Sequence, residues 1–162
     1  MRSFTSVWYW IMLAVLWSTT AHWTLGVPYD VVTRARRARG GIAQQDLETL
    51  VRVNCNRITH IMDVSGVWIV SLAFFVLTAL AILGFWYGVE FGQAVFLVAA
   101  PWSMVAAMSV RHARSIRARA EEGEVLRRHL GRLRFYNQVI GLVSIFVTAF
   151  WGMWFNLSAT VL

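Results

Sequence analysis

The sequence predicts an all-α fold: an integral membrane four-helix bundle with amphipathic helical extensions on the cytoplasmic side. Three observations carry this expectation. Of 162 residues, 58% are hydrophobic and 14% charged, against about 25% charged in a soluble domain. The charges are nearly absent from four long stretches and crowd into two segments between them, the pattern required where lipid-facing surface must be apolar and loops need not be. Nine Trp residues suit the membrane interface, where the indole ring is buried while its N–H stays wet. The expected organisation is one membrane domain over residues 1–162. Its spans lie at about residues 4–26, 64–89, 93–110 and 135–156, and its cytoplasmic segments at about 28–62 and 111–134.

The first apolar stretch, Phe4 to Gly26, contains no acidic residue and no Arg. At ~1.5 Å per residue it reaches ~34 Å, enough for a ~30 Å hydrocarbon core. A signal peptide is the competing reading. Its leading region would carry only Arg2, the apolar run is long and Trp-rich, and no small-x-small cleavage site precedes the Arg cluster. An uncleaved helix is therefore expected. The stretch from Pro28 to Gly41 carries Arg34, Arg36, Arg37 and Arg39 ahead of the Gly40-Gly41 breaker. From Gln44 to Met62 the apolar residues Leu47, Leu50, Val51, Ile58, Ile61 and Met62 recur at three- and four-residue steps, which is helical spacing. Glu48 stands one turn before Arg52, a favourable pair. This amphipathic helix is expected to run directly into the second span.

A short turn around Glu90, flanked by Gly88 and Gly92, leads to the third span, which Pro101 should kink. His112 to Arg134 reads as helix with Ile116, Val125, Leu126, Leu130 and Leu133 on one side. Gly123 is a break point there, and Arg117–Glu121 and Glu124–Arg128 have i,i+4 spacing. The fourth span runs from Phe135 to Asn156.

Every Arg except Arg2 lies between the first and second spans or between the third and fourth. The positive-inside rule places both segments in the cytoplasm and both termini outside, in a bacterial inner membrane. The absence of Lys fits the codon bias of a GC-rich genome. A net charge of +7 raises the question of nucleic acid, but in a chain of apolar spans it reports cytoplasmic loops, and no nucleic-acid partner is expected. No Asp, Glu or Arg sits near the centre of any span, which argues against a proton-coupled transporter or pump.

Candidate chemistry is sparse. His22, His60, His112 and His129 each fall near the cytoplasmic end of one predicted helix. Two His facing across a bundle can hold a b-type haem, and His is equally at ease at a hydrated interface. The expectation is no cofactor and no metal. Asp63, one turn from His60, is expected to be an interfacial residue, capped by backbone or paired with a loop Arg, rather than to act in acid–base catalysis. A single cysteine, Cys55, excludes an intramolecular disulfide and a thiolate metal cage. Small residues recur at four-residue steps: Ala14 and Ser18 (continuing to His22 and Gly26), Gly84, Gly88 and Gly92, Ala99, Ser103 and Ala107, and Ser144, Thr148 and Gly152 (continuing to Asn156). Such stripes let helix backbones approach, either within the bundle or against another membrane subunit.

The stretch from Trp8-Tyr9-Trp10 through Arg37, with Leu83-Gly84-Phe85-Trp86-Tyr87-Gly88, resembles small bacterial integral-membrane proteins labelled "component of SufBCD complex". That resemblance implies association with iron–sulfur assembly machinery, although one Cys is too few for a cluster held by four thiolates. The topology, with Arg52-Val53-Asn54-Cys55-Asn56-Arg57 leading into the second span, is also similar to MAPEG-type membrane enzymes. It departs from them in its long third loop and in the loose match of Asp63 to their acidic residue.

The functional expectation is a non-catalytic accessory or scaffold subunit of an inner-membrane assembly, with a small homo-oligomeric ion channel and a MAPEG-like transferase as alternatives. Its partners would be membrane lipids and another membrane or cytoplasmic protein, and homo-oligomers are allowed. The two cytoplasmic segments, packed together, would bury Leu50, Ile58, Leu126 and Leu133. They would leave Arg36, Arg37, Arg117, Arg119, Arg127 and Arg128 as a partner-binding surface.

Overall fold

A computed structural model describes residue 4, residues 6–38 and residues 41–160, with side chains to residue 157. Arg2, Arg39 and Gly40 lie outside the described residues. The fold is all-α. In chain order the described elements are α1 (Val7–His22), a two-stranded hairpin of β1 (Trp23–Thr24) and β2 (Val27–Pro28), α2 (Tyr29–Arg37), α3 (Ile42–Ala81), α4 (Glu90–Arg119) and α5 (Gly123–Thr160). A π-helical turn, Ile82–Trp86, prolongs α3. Three helical stretches are long and apolar enough to cross a membrane: Ile42–Trp86, Glu90–Arg119 and Gly123–Leu157.

The first apolar stretch is shorter as a helix than its composition implies. α1 stops at His22, and the chain turns back through Leu25 and Gly26, both at positive φ (55° and 72°). Trp23 pairs with Pro28 and Thr24 with Val27, so a two-residue loop closes the hairpin with the left-handed backbone that a twisted strand pair requires. Leu25 is an unusual occupant of that conformation. Its side chain is buried in the main core with Val27, and that burial offsets the strain.

The amphipathic and apolar parts of α3 form one unbroken helix, as the sequence reading expects. Likewise α4 passes through Pro101 without interruption, and α5 joins the second charged block to the last apolar stretch. Between α4 and α5 the chain reverses at Ala120, which adopts the left-handed conformation (φ 46°). Ala120 N–H donates to Arg117 O and Glu121 N–H to Ile116 O. This is a Schellman ending with Ala where Gly is usual.

The principal core sits at the Arg-rich end. Leu25, Val27, Val32, Ala35, Leu47, Val51, Cys55, Ala113, Ile116, Leu126, Leu130 and Leu133 form one buried cluster. The buried seam of α3 is Gln44, Leu47, Val51, Cys55 and Thr59. Leu50, expected inside, is exposed, and Ile58 is only partly buried. The seam follows steps of three and four that run through two polar residues, which a reading of apolar residues alone misses.

Towards the Arg-poor end, α1, α4 and α5 pack together. Leu13, Trp17 and Val105 form one cluster there, and Phe4, Tyr9 and Ala94 another. The apolar half of α3 packs chiefly on α4, and no residue of its most apolar window is buried.

Candidate functional site

The small-residue stripes are placed unevenly. On α5, Ser144, Thr148 and Gly152 are buried, with Asn137 and Gly141 continuing the same face. A Cβ on Gly141 would stand 2.7 Å from Trp17 Cε3, and one on Gly152 3.2 Å from Phe4 Cδ1. Gly84 and Gly92 are buried against each other's backbones: a Cβ on Gly84 would lie 2.7 Å from Gln93 N. Gln93 spans the same joint, donating through Nε2 to Gly84 O at 2.9 Å and accepting from Trp151 Nε1 at 3.0 Å. The joint falls within the π-helical turn Ile82–Trp86 that prolongs α3. Gly88 serves a different purpose, with φ 68° and nothing within 4 Å of where a Cβ would stand; it turns the chain. Ala14, Ser18 and Ala107 are exposed. The packing face of α1 is Tyr9, Leu13 and Trp17, because aromatic and leucine side chains on α1 fill the space that the small residues of α5 open. Ala99 and Ser103 are half-buried, and Ser103 Oγ donates to Ala99 O on its own helix.

Of the four His residues, the fold brings two together. His22 and His60 are exposed. His112 on α4 and His129 on α5 meet with Nδ1 and Nε2 2.6 Å apart, and His129 Nδ1 lies 2.6 Å from Glu121 Oε2. The Glu121 side chain is almost fully enclosed. These three groups stand in series rather than converging on one point, and among the described residues no three His, Cys, Asp or Glu side chains are grouped to hold a metal ion. An ionised Glu121 only accepts, so His129 donates to it from Nδ1. His129 Nε2 is then free to accept from His112 Nδ1. Burial holds the His112 pKa below its usual value, helped by His129 and Arg111. The expected Arg117–Glu121 pair does not form, because the reversal at Ala120 redirects Glu121 to His129, with Arg119 3.9 Å away.

The six arginines of the expected partner surface divide by role. Arg36, Arg37, Arg119 and Arg128 are exposed, and Arg128 pairs with Glu124 one turn away. Arg117, also exposed, and the partly buried Arg127 hold the head together. Arg117 Nη1 donates to Thr59 Oγ1 at 2.8 Å, and Arg127 Nη1 donates to Gln44 Oε1. Glu48 makes no ion pair with Arg52. Its Oε1 accepts from Gln44 Nε2 and from Gly123 N–H, capping the first turn of α5, and these donors hold its carboxyl below the usual carboxylate range. Asp63 pairs with Arg114 at 3.1 Å. Cys55 is buried, and burial pushes its thiol up to about 11, so it is not a nucleophile at neutral pH. Asn54 donates to Gly26 O and so ties the hairpin to α3. A groove of about 500 Å³ runs between α3 and the α4–α5 turn, with Arg52, Asn56, Arg117, Glu121 and Glu122 among its walls. Sequence reasoning missed the His112–His129–Glu121 row, because its members come together only when the chain reverses at Ala120. Neither a family model nor a curated protein nor a solved structure matches this chain.

Proposed function

We propose that this chain is a non-catalytic accessory subunit of a bacterial inner-membrane assembly, docking a partner through the exposed arginines of its Arg-rich head. One observation carries the reading. The head has its own hydrophobic core and internal hydrogen bonds, yet Arg36, Arg37, Arg119 and Arg128 are left facing outward from it. A cationic surface on a rigid support suits an acidic protein partner. In this reading α1 is a fourth spanning helix. Its 16 residues cover about 24 Å, and the hairpin beyond it lies at the interface. The positive-inside rule puts the head in the cytoplasm and both termini in the periplasm. The resemblance to the proteins labelled "component of SufBCD complex" supports a role as a subunit. Cys55, alone and buried, is no cluster ligand.

The test replaces Arg36, Arg37, Arg119 and Arg128 together with Gln. Arg117 and Arg127 are spared, because they bond Thr59 and Gln44. After mild detergent extraction the wild-type chain should carry a stoichiometric partner that the variant loses. Insertion should persist, since Arg34, Arg52 and Arg57 remain. A variant that keeps every co-purifying protein overturns the docking reading. A cytoplasmic signal from a reporter fused at residue 90 overturns the orientation. Ion conductance by the purified wild-type chain in liposomes would replace the reading with the channel.

A further inference from the structure

A second cavity, of about 470 Å³, opens where the end of α1 faces the Arg134 turn of α5. Its walls are Ser18, Thr19, Ala21, His22, Trp23 and Arg134: two hydroxyls, an imidazole, an indole and a guanidinium, with no carboxylate. Arg134 is held in place. Its guanidinium carbon lies 3.8 Å from the centroid of the Tyr29 ring, a cation–π stack. Arg134 nevertheless has no ion pair among the described residues, and its Nε is buried without a hydrogen-bond partner. The neighbouring turns show the same shortage. Trp17 Nε1, Thr24 Oγ1 and Asn137 Oδ1 are also buried and unpartnered. With Arg134 Nε they make four of the five such atoms in the described residues, spread over α1, the hairpin and α5; of the four, Arg134 is the one that lines the cavity. Buried polar atoms are normally satisfied, so a stacked guanidinium with no ion pair and an unsatisfied Nε, lining a cavity without a carboxylate, marks a place suited to a polar, anionic ligand.

We propose that this cavity is an anion site that takes a phosphate group, and that its source is the head group of an anionic phospholipid. The planar guanidinium presents paired donors that match two phosphate oxygens, and the Ser18 hydroxyl and His22 add donors on the facing wall, while the Thr19 hydroxyl donates to Val15 O. The lipid source follows from position and rests on the membrane reading above. Arg134 is the last charged residue of α5, and no charged residue follows it in the sequence. On α1 the residues from Phe4 to Trp23 carry no acidic residue and no Arg. The cavity therefore lies at the border between charged and apolar surface, with Trp23 beside it. This is the level of phospholipid phosphates and interfacial Trp. The site is separate from the exposed arginines proposed to dock a protein.

Thermal unfolding of the full chain, purified in a neutral detergent and followed by Trp fluorescence, tests the site. Short-chain phosphatidylglycerol, short-chain phosphatidylcholine and inorganic phosphate are titrated in parallel. Phosphatidylglycerol should raise the unfolding temperature in a saturable way, as a ligand of the native state must, and phosphatidylcholine should not. Arg134→Gln should weaken half-saturation about tenfold or more. His22→Ala and Ser18→Val, on the opposite wall with Arg134 intact, should also weaken it and keep the test valid if the Arg134 variant does not fold. Arg128→Gln should respond like wild type. A rise with inorganic phosphate equal to that with phosphatidylglycerol supports the anion site and overturns the lipid source. No saturable rise with either, or an undiminished rise in all three cavity variants, overturns the site. Partner retention by Arg134→Gln separates this outcome from failure of the docking reading.

Discussion

Glu48, in the second turn of α3, accepts the backbone N–H of Gly123, the first residue of α5, at 2.8 Å. A helix start leaves its first N–H groups without intrahelical partners and carries partial positive charge. The carboxylate of another helix answers both needs. Glu48→Ala should destabilise the head by about 1 kcal/mol, the scale of a lost charged cap in partial exposure. Because the folded-state pKa of Glu48 is depressed from 4.5, its contribution is fully present above that value and is lost as pH falls through the folded pKa. Glu48→Gln should therefore flatten the acid limb of the stability–pH curve in that window. An unchanged acid limb would remove Glu48 from this role.

The joint between Gly84 and Gly92 leaves no room for a methyl group. Gly84→Ala would set Cβ 2.7 Å from Gln93 N, against backbone that cannot rotate away, and should cost about 1–3 kcal/mol. The hydrogen bonds from Gln93 to Gly84 and from Trp151 to Gln93 should be disturbed with it. Gly88→Ala meets no neighbour but must hold φ 68°, and should cost about 1 kcal/mol. Denaturation in detergent that ranks Gly88→Ala above Gly84→Ala in damage would contradict the close approach.

Ala120 is the reverse case. It holds a left-handed conformation that favours glycine, so Ala120→Gly should stabilise the α4–α5 turn by about 0.5–1 kcal/mol. Chemical denaturation should show a higher midpoint at constant slope.

The paired imidazoles give the turn a pH dependence. His112 has a folded pKa below 6.5, so its stabilising contribution is complete above that value and declines as pH falls towards the folded pKa. Facing it are His129 and Glu121, with Arg111 and Arg132 adding positive charge. Amide exchange at residues 120–124, corrected for intrinsic rates, should speed up as the pH is lowered below 6.5, the ordinary histidine value. His112→Gln should abolish that change. Equal pH dependence in the variant would assign it to other groups.

The fold was legible in the sequence where local pattern and packing agree. The run from Gln44 into the apolar stretch reads as one helix and is one helix, because nothing between Met62 and Val64 interrupts helical geometry. Ser144, Thr148 and Gly152 read as a packing face and are buried. The end of α1 was not legible, because Trp23 and Leu25 are as apolar as a continuing helix would be. The hairpin there is set by Leu25 fitting the core and by Asn54 holding Gly26 from α3. Ala14 and Ser18 misled for a related reason: close packing needs a small residue on only one partner, and here α5 supplies Gly141 to the Trp17 ring. Arg117 and Arg127 look no different in sequence from Arg119 and Arg128. Only the register of α3, which brings Thr59 and Gln44 within reach, separates the arginines that hold the head from those that face out.

The single unbroken length of α3 has a mechanical consequence. From Gly84 at one end to Glu48 at the other is about 54 Å of stiff rod at 1.5 Å per residue. A tilt of about 3° between α3 and α4, pivoting at the glycine joint, would displace the far end by about 3 Å. That is far more than the Glu48–Gly123 hydrogen bond tolerates. The head core that α3 shares with α4 and α5, together with the Thr59–Arg117 and Asp63–Arg114 contacts, opposes such a tilt, so the glycine joint at one end and the capped core at the other fix the angle of the rod.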